Sequence, residues 1–415
     1  MRLYKLSLLL LLAAAVWGAP VQHVEPGCLG TFNTSMNCSE ELSADHLVEH
    51  RVVLEATRYD INDYPELTTE QVLDVKKLER KATTLTAMLR DDDFDVIKFT
   101  EALVVFITSP ITRKLPVKLG ASLLPKLDLY SNMVISKAFV KDWVNIPGYN
   151  KVFNVPNLEY GRARWFTEAV DRQPEDPVIF YSHGGGYLVG LYPTFVLMMN
   201  FIYKGLRNDR LSILMIDYTL TLDAPNPTQL IEYVETYNEL AKTSNNIIQM
   251  GDSAGAHLAL QFLRHQNYKP FKGVVPACKI QSTGGIYLSP WVNVYPDDDD
   301  GTMVTNLGKD VLTAPLMRHA TDVNVPESWL RNAPFNNMYK DKIDWDSFML
   351  KSVFVSRGQN EVLYDSITEW TKLARLDDDD IIFTDPHAIH DAAIFTPDRC
   401  DIMPEVVKYL RMLGY

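Results

Sequence analysis

From about residue 134 to the C-terminus, short apolar runs alternate with helical stretches, and this alternation restricts the fold more than any other feature of the chain. The runs occupy residues 177–182, 211–217, 246–250, 285–289, 352–356 and 381–384, and most are continuously apolar. A strand with one solvated face alternates apolar and polar side chains, whereas a parallel strand covered on both faces does not. Between the runs, residues at about 193–208, 228–243, 253–266 and 361–376 carry helical patterning. The alternation predicts a doubly wound, mostly parallel α/β sheet. Residues 291–351 are too many for a crossover and are expected as an insertion over one end of the sheet, adding to a cap.

Upstream of the catalytic part at 134–415, residues 46–133 read as a helical cap or N-terminal addition. Thr68 through Gln71 fits a capping box, and Val72, Val75, Leu78, Ala82, Leu85 and Leu89 then recur at three- and four-residue spacing on one face. Residues 1–18 have the form of a signal peptide, with Arg2 and Lys5 ahead of an apolar core at 6–15 and Gly18 at the expected cleavage site. That core is shorter than the ~20 residues of a spanning helix, which disfavours a permanent anchor while leaving membrane association possible. A leader at 19–45 carries two glycosylation sequons, at Asn33 and Asn37, and a third lookalike at Asn226 is blocked by Pro227. The chain is therefore expected in the secretory pathway, either in the endoplasmic reticulum lumen or secreted. Four cysteines allow three pairings, of which Cys28 with Cys38 is the most local; Cys278 and Cys400 read either as a further pair or as buried thiols.

Composition excludes whole classes of function. With 47% apolar and 22% charged residues over 415 positions, the chain is neither disordered, collagen-like nor a coiled coil. The net charge of -13, with no basic stripe, excludes nucleic acid as a partner. Oligomeric state is left open. Aspartate tetrads at 297–300 and 377–380 lack the spacing and turn glycine of a calcium loop and read as solvated loops. His46-Leu47-Val48-Glu49-His50 matches a zinc-peptidase pattern, but it lies ahead of the sheet and has no evident third ligand.

Gly251-Asp252-Ser253-Ala254-Gly255 satisfies G-x-S-x-G between the run at 246–250 and a helical stretch, which is where a strained turn would expose the Ser253 hydroxyl. His183-Gly184-Gly185-Gly186 closes the run at 177–182. Its bare N–H groups suit an oxyanion hole, with Gly184 and Gly185 expected as donors and Ala254 as the third. A dinucleotide fingerprint is excluded because Val189 stands where a glycine would be needed. A nucleophilic serine needs a base and an orienting acid, in the order Ser, acid, His. Glu361 or Asp365 follows the run at 352–356, and His387 or His390 follows the last run.

These motifs, together with 217–221, 227–230 and 288–291, resemble the lipase and esterase family typified by hormone-sensitive lipase, and within it the fungal steryl acetyl hydrolases. The resemblance covers roughly residues 140–415. It implies an α/β-hydrolase fold, no cofactor and no metal. It favours Glu361 as acid over Asp365, although the family's D-x-L-x-D pattern has aspartate at that first position, and His390 over His387. Ala256 also departs from a glycine common in the family. The implied activity is serine-type hydrolysis of lipid-like esters, with steryl acetates the expected substrates; the alternatives are a long-chain acylglycerol lipase or a non-catalytic binding protein on the same fold.

Overall fold

The computed structural model describes residues 128–139, 145–267, 273–278, 281–297, 301–327, 336–338, 352–376 and 382–415, with isolated positions at 68, 69, 71, 331 and 350. The expected signal peptide, both sequons, His46 to His50, Cys28 and Cys38, most of the helical addition, the aspartate tetrad at 297–300 apart from Asp297, and the whole tetrad at 377–380 lie outside these residues. At Thr68 the expected capping box is formed: the Thr68 N–H donates to Gln71 Oε1 (2.8 Å), and the Gln71 N–H donates to Thr68 Oγ1 (3.3 Å).

Seven strands form one sheet: β1 (Ala163–Thr167), β2 (Val178–Ser182), β3 (Ser212–Ile216), β4 (Ile247–Asp252), β5 (Gly284–Leu288), β6 (Val353–Gly358) and β7 (Ile382–Asp385). Their spatial order is β1-β3-β2-β4-β5-β6-β7. All neighbours are parallel except β1, which runs antiparallel to β3. Six strands coincide with the expected apolar runs. The seventh, β1, has no such signature because Arg164 interrupts it; that side chain is nonetheless buried, donating to the Asn150 carbonyl (3.0 Å) and lying over the Tyr130 ring.

Helices α1 (Leu129–Phe139), α2 (Pro193–Leu206), α3 (Thr228–Leu240), α4 (Ser253–Asn267), α5 (Gly301–Thr305), α6 (Ala314–Asn324), α7 (Tyr364–Leu373), α8 (Ala392–Phe395) and α9 (Ile402–Met412) surround the sheet. Helix α1 crosses residues 133 and 134, where the sequence places the start of the catalytic part. Successive strand residues face opposite ways, so each strand feeds two cores. Val178, Phe180 and Leu214 pack with α3, α4 and α7. Ile179, Tyr181 and Met215 pack with α1, α2 and α9. Burial on both faces explains the continuous apolar runs.

Register decides where the chemistry sits. Ser182 pairs with Gly251, Asp252 with Leu288, Leu288 with Ser356, and Gly358 with Asp385. The C-terminal ends of β2, β4, β6 and β7 therefore lie along one edge, and the loops that leave them meet there.

Candidate active site

Strand β4 passes into α4 with no residue between Asp252 and Ser253. This abrupt turn places Ser253 at φ +46°, a left-handed conformation that costs a non-glycine residue roughly 1–3 kcal/mol. Gly255 makes the turn possible, because a Cβ there would overlap the carbonyl oxygens of Ser182 and His183. The Ser253 hydroxyl consequently projects from the first residue of the helix toward the loop after β7.

That loop delivers His390, whose Nε2 lies 2.8 Å from Ser253 Oγ. On the other side of the ring, Nδ1 lies 3.1 Å from Glu361 Oε2. Glu361 Oε1 accepts the Gly358 N–H at 2.6 Å, which fixes the carboxylate at the end of β6. All three side chains are buried. A carboxylate facing Nδ1 selects the tautomer with the proton there, which leaves Nε2 to accept from the serine. Burial pushes the Glu361 carboxyl up, opposed by its bond to His390. Glu361 lies in the turn before α7 rather than within the helix expected from residue 361.

The two alternative residues are engaged elsewhere. Asp365 Oδ2 accepts the Thr302 N–H (2.8 Å), so its carboxylate is turned to α5. His387 is exposed, and its backbone is held by Asp385 Oδ1 and Asn360 Nδ2.

The loop after β2 requires one correction. The Gly184 N–H, expected as an oxyanion donor, donates instead to Asp252 Oδ2 at 3.0 Å; a single N–H committed to a buried carboxylate is not free for a substrate oxygen. Among the described residues, the N–H groups of Gly185 and Gly186 have no such acceptor, and neither does that of Ala254 in the first turn of α4. Gly185 and Gly186 sit at φ +99° and +61°, which glycine adopts without penalty. The N–H groups left as candidate donors are those of Gly185, Gly186 and Ala254. His183 shapes this loop: it stacks on Tyr218 with centroids 4.2 Å apart, its Nδ1 bonds the Gly184 carbonyl (2.7 Å), and Tyr218 donates to the His183 carbonyl (2.6 Å). Burial lowers the His183 pKa to about 4, so the ring is neutral.

Three carboxylates near the base carried no sequence signal of their own. Asp391 Oδ2 lies 3.1 Å from His390 Nε2. Asp252 accepts from Tyr181 and Gly184, and burial together with Asp391 pushes its carboxyl well above the usual range. Asp310 accepts the N–H groups of His390 and Val362. The first two adjoin motif residues. Asp310 stands alone in the insertion, where only a structure can relate it to the site. Cys278 and Cys400 pack on opposite faces of the sheet and so do not pair with each other.

Comparison with known proteins agrees with this architecture. An esterase of the bacterial hormone-sensitive lipase family superposes with a TM-score of 0.51 at 19% identity, over 83% of this chain and 99% of that one. A thermostable esterase from Pseudomonas putida gives 0.54 at 16% identity, over 76% and 93%. The fold is thus that of the α/β-hydrolase esterases. In sequence, mug81 of Schizosaccharomyces pombe, which carries the steryl acetyl hydrolase name, is 28% identical over 54% of this chain and 62% of its own length. Steryl acetyl hydrolase 1 of Saccharomyces cerevisiae is 32% identical over 28% and 27%. The matches thus span less than two thirds of either relative. The sequence profile described as steryl acetyl hydrolase matches residues 128–396, more than half of the chain, and the chain therefore belongs to the steryl acetyl hydrolase family.

Proposed function

We propose that the protein is a serine carboxylic ester hydrolase that removes acetyl groups from large apolar alcohols, steryl acetates foremost. The observation that carries the reading is the buried chain from Ser253 Oγ to His390 to Glu361, at 2.8 and 3.1 Å. His390 Nε2 takes the Ser253 proton as the hydroxyl attacks the ester carbonyl. Glu361 holds the ring and stabilises the imidazolium that forms. The N–H groups of Gly185, Gly186 and Ala254 stabilise the tetrahedral oxyanion. His390 then protonates the leaving alcohol, and water, activated by the same base, releases the acyl group. The names of the two fungal relatives support an acetyl ester as substrate.

The test is kcat/KM on an acyl series with one alcohol, followed by steryl acetate. Acetyl esters are expected to exceed long acyl chains, and steryl acetate to be turned over; rates that climb with chain length and leave steryl acetate untouched assign the protein as a lipase. Ser253→Ala should lose activity by on the order of 10³-fold or more, and retained activity in the purified variant refutes the nucleophile.

The residues at 1–18 and the sequons at Asn33 and Asn37 support a secretory-pathway location. The mature chain should begin near Ala19 and lose mass on treatment with an N-glycosidase. A Met1-initiated, membrane-bound form refutes cleavage.

A further inference from the structure

The insertion between β5 and β6 was expected to help form a cap, yet one stretch of it, from α5 to Asp310, grips the loop that carries the acid. Thr302 Oγ1 donates to the Val362 carbonyl (2.9 Å). Asn306 Nδ2 donates to the carbonyls of Gln359 (3.0 Å) and Glu361 (2.9 Å). Asp310 Oδ2 accepts the Val362 N–H at 2.7 Å, and its Oδ1 accepts the His390 N–H at 3.0 Å. Asn306 and Asp310 are both buried, each 4% exposed.

Within this set, Asp310 alone reaches both loops. One planar carboxylate binds the amide that follows the acid and the amide of the base itself. Hydrogen bonds from backbone N–H groups to a carboxylate are short and directional, so its two oxygens set the separation of those amides. That separation in turn fixes how Glu361 meets Nδ1. A carboxylate is needed for this, because an amide in its place would turn an N–H donor toward one of the two backbone N–H groups.

We infer that Asp310 is a positioning residue for the esterase reaction: it fixes the acid loop to the histidine loop and acts on the rate through the Glu361–His390 pair. The inference rests on the proposed catalytic roles of that pair.

A double-mutant cycle on the full chain tests it, with p-nitrophenyl acetate as substrate and thermal midpoints recorded for every variant. Asp310→Asn should lower kcat by on the order of 10²-fold with KM nearly unchanged, the scale expected for a misplaced catalytic pair. In a Glu361→Gln background, where the pair is already broken, the same change should cost less than about 3-fold, because residues that act as a unit are not additive. Equal losses in both backgrounds, or a kcat left within about 3-fold by Asp310→Asn alone, overturn the positioning role. A Glu361→Gln variant with wild-type kcat overturns the catalytic reading itself, and the inference with it; that result differs from additivity in the single variant. If Asp310→Asn does not fold, Asp310→Glu, which keeps the carboxylate but displaces it by one methylene, is read through the same cycle, with the same two outcomes.

Discussion

At the scale of single residues, the base has more carboxyl groups around it than a Ser-His-acid chain requires. Asp391 Oδ2 approaches the same Nε2 that faces Ser253, while Glu361 holds Nδ1 and Asp310 and Asp252 lie nearby. Burial alone would lower the His390 pKa, but Asp391 and Glu361 outweigh it and hold the pKa well above that of an ordinary histidine. Catalysis needs the neutral ring, so activity should fall as pH drops through that raised value. Removing a negative charge lowers the pKa of a cationic acid, so Asp391→Asn should move the acid limb of the kcat/KM profile to lower pH. A limb that stays in place shows that Asp391 does not govern the base. Ser253, Glu361 and His390 were legible in the sequence because each sits in a motif whose order along the chain follows the strand order. The oxyanion donors were only partly legible. Which glycine N–H is free depends on the Asp252 carboxylate, and a row of glycines does not show where that carboxylate points.

Among the strands, those that are apolar on both faces announced themselves, and the one that mixes polar and apolar residues did not. All six parallel strands lie within a residue or two of their expected runs, whereas β1 was hidden by Arg164 and α5 and α6 by the polar character of the insertion. Helix α1 has its own polar tether: the Leu129 N–H donates to Asp217 Oδ2 at 3.0 Å, just beyond the end of β3. Burial raises the Asp217 pKa to about 7, despite the neighbouring Arg162. An unfolded aspartate titrates near pH 4, so between about 4 and 7 the folded chain binds more protons at this site than the unfolded chain. The contribution of Asp217 to stability is therefore complete below about pH 4 and is lost as pH rises through 7. Asp217→Asn keeps the acceptor for Leu129 and removes the titration. Its thermal midpoint should gain on wild type more at pH 8 than at pH 5, and an equal difference at both values refutes a buried, titrating Asp217.

Over the whole molecule, the reacting groups come from distant parts of the chain and are brought together by strand register. The nucleophile leaves β4, the acid leaves β6 and the base leaves β7, so the site exists only once the parallel sheet has closed. The cooperative sheet also holds Ser253 in a conformation that the residue would abandon on its own. Stability and reactivity are therefore set against each other at one backbone angle. Ser253→Gly and Ser253→Ala both remove the hydroxyl, but only glycine accepts φ +46° freely. The glycine variant should therefore be the more stable of the two by about 1 kcal/mol or more, seen as a higher thermal midpoint. Equal midpoints would mean that the strain at the elbow does not exceed the extra conformational entropy that glycine loses on folding. A higher midpoint for glycine would mean that the fold gives up part of its stability at every folding event to keep one hydroxyl exposed, and that selection for thermal tolerance alone would erode this residue first.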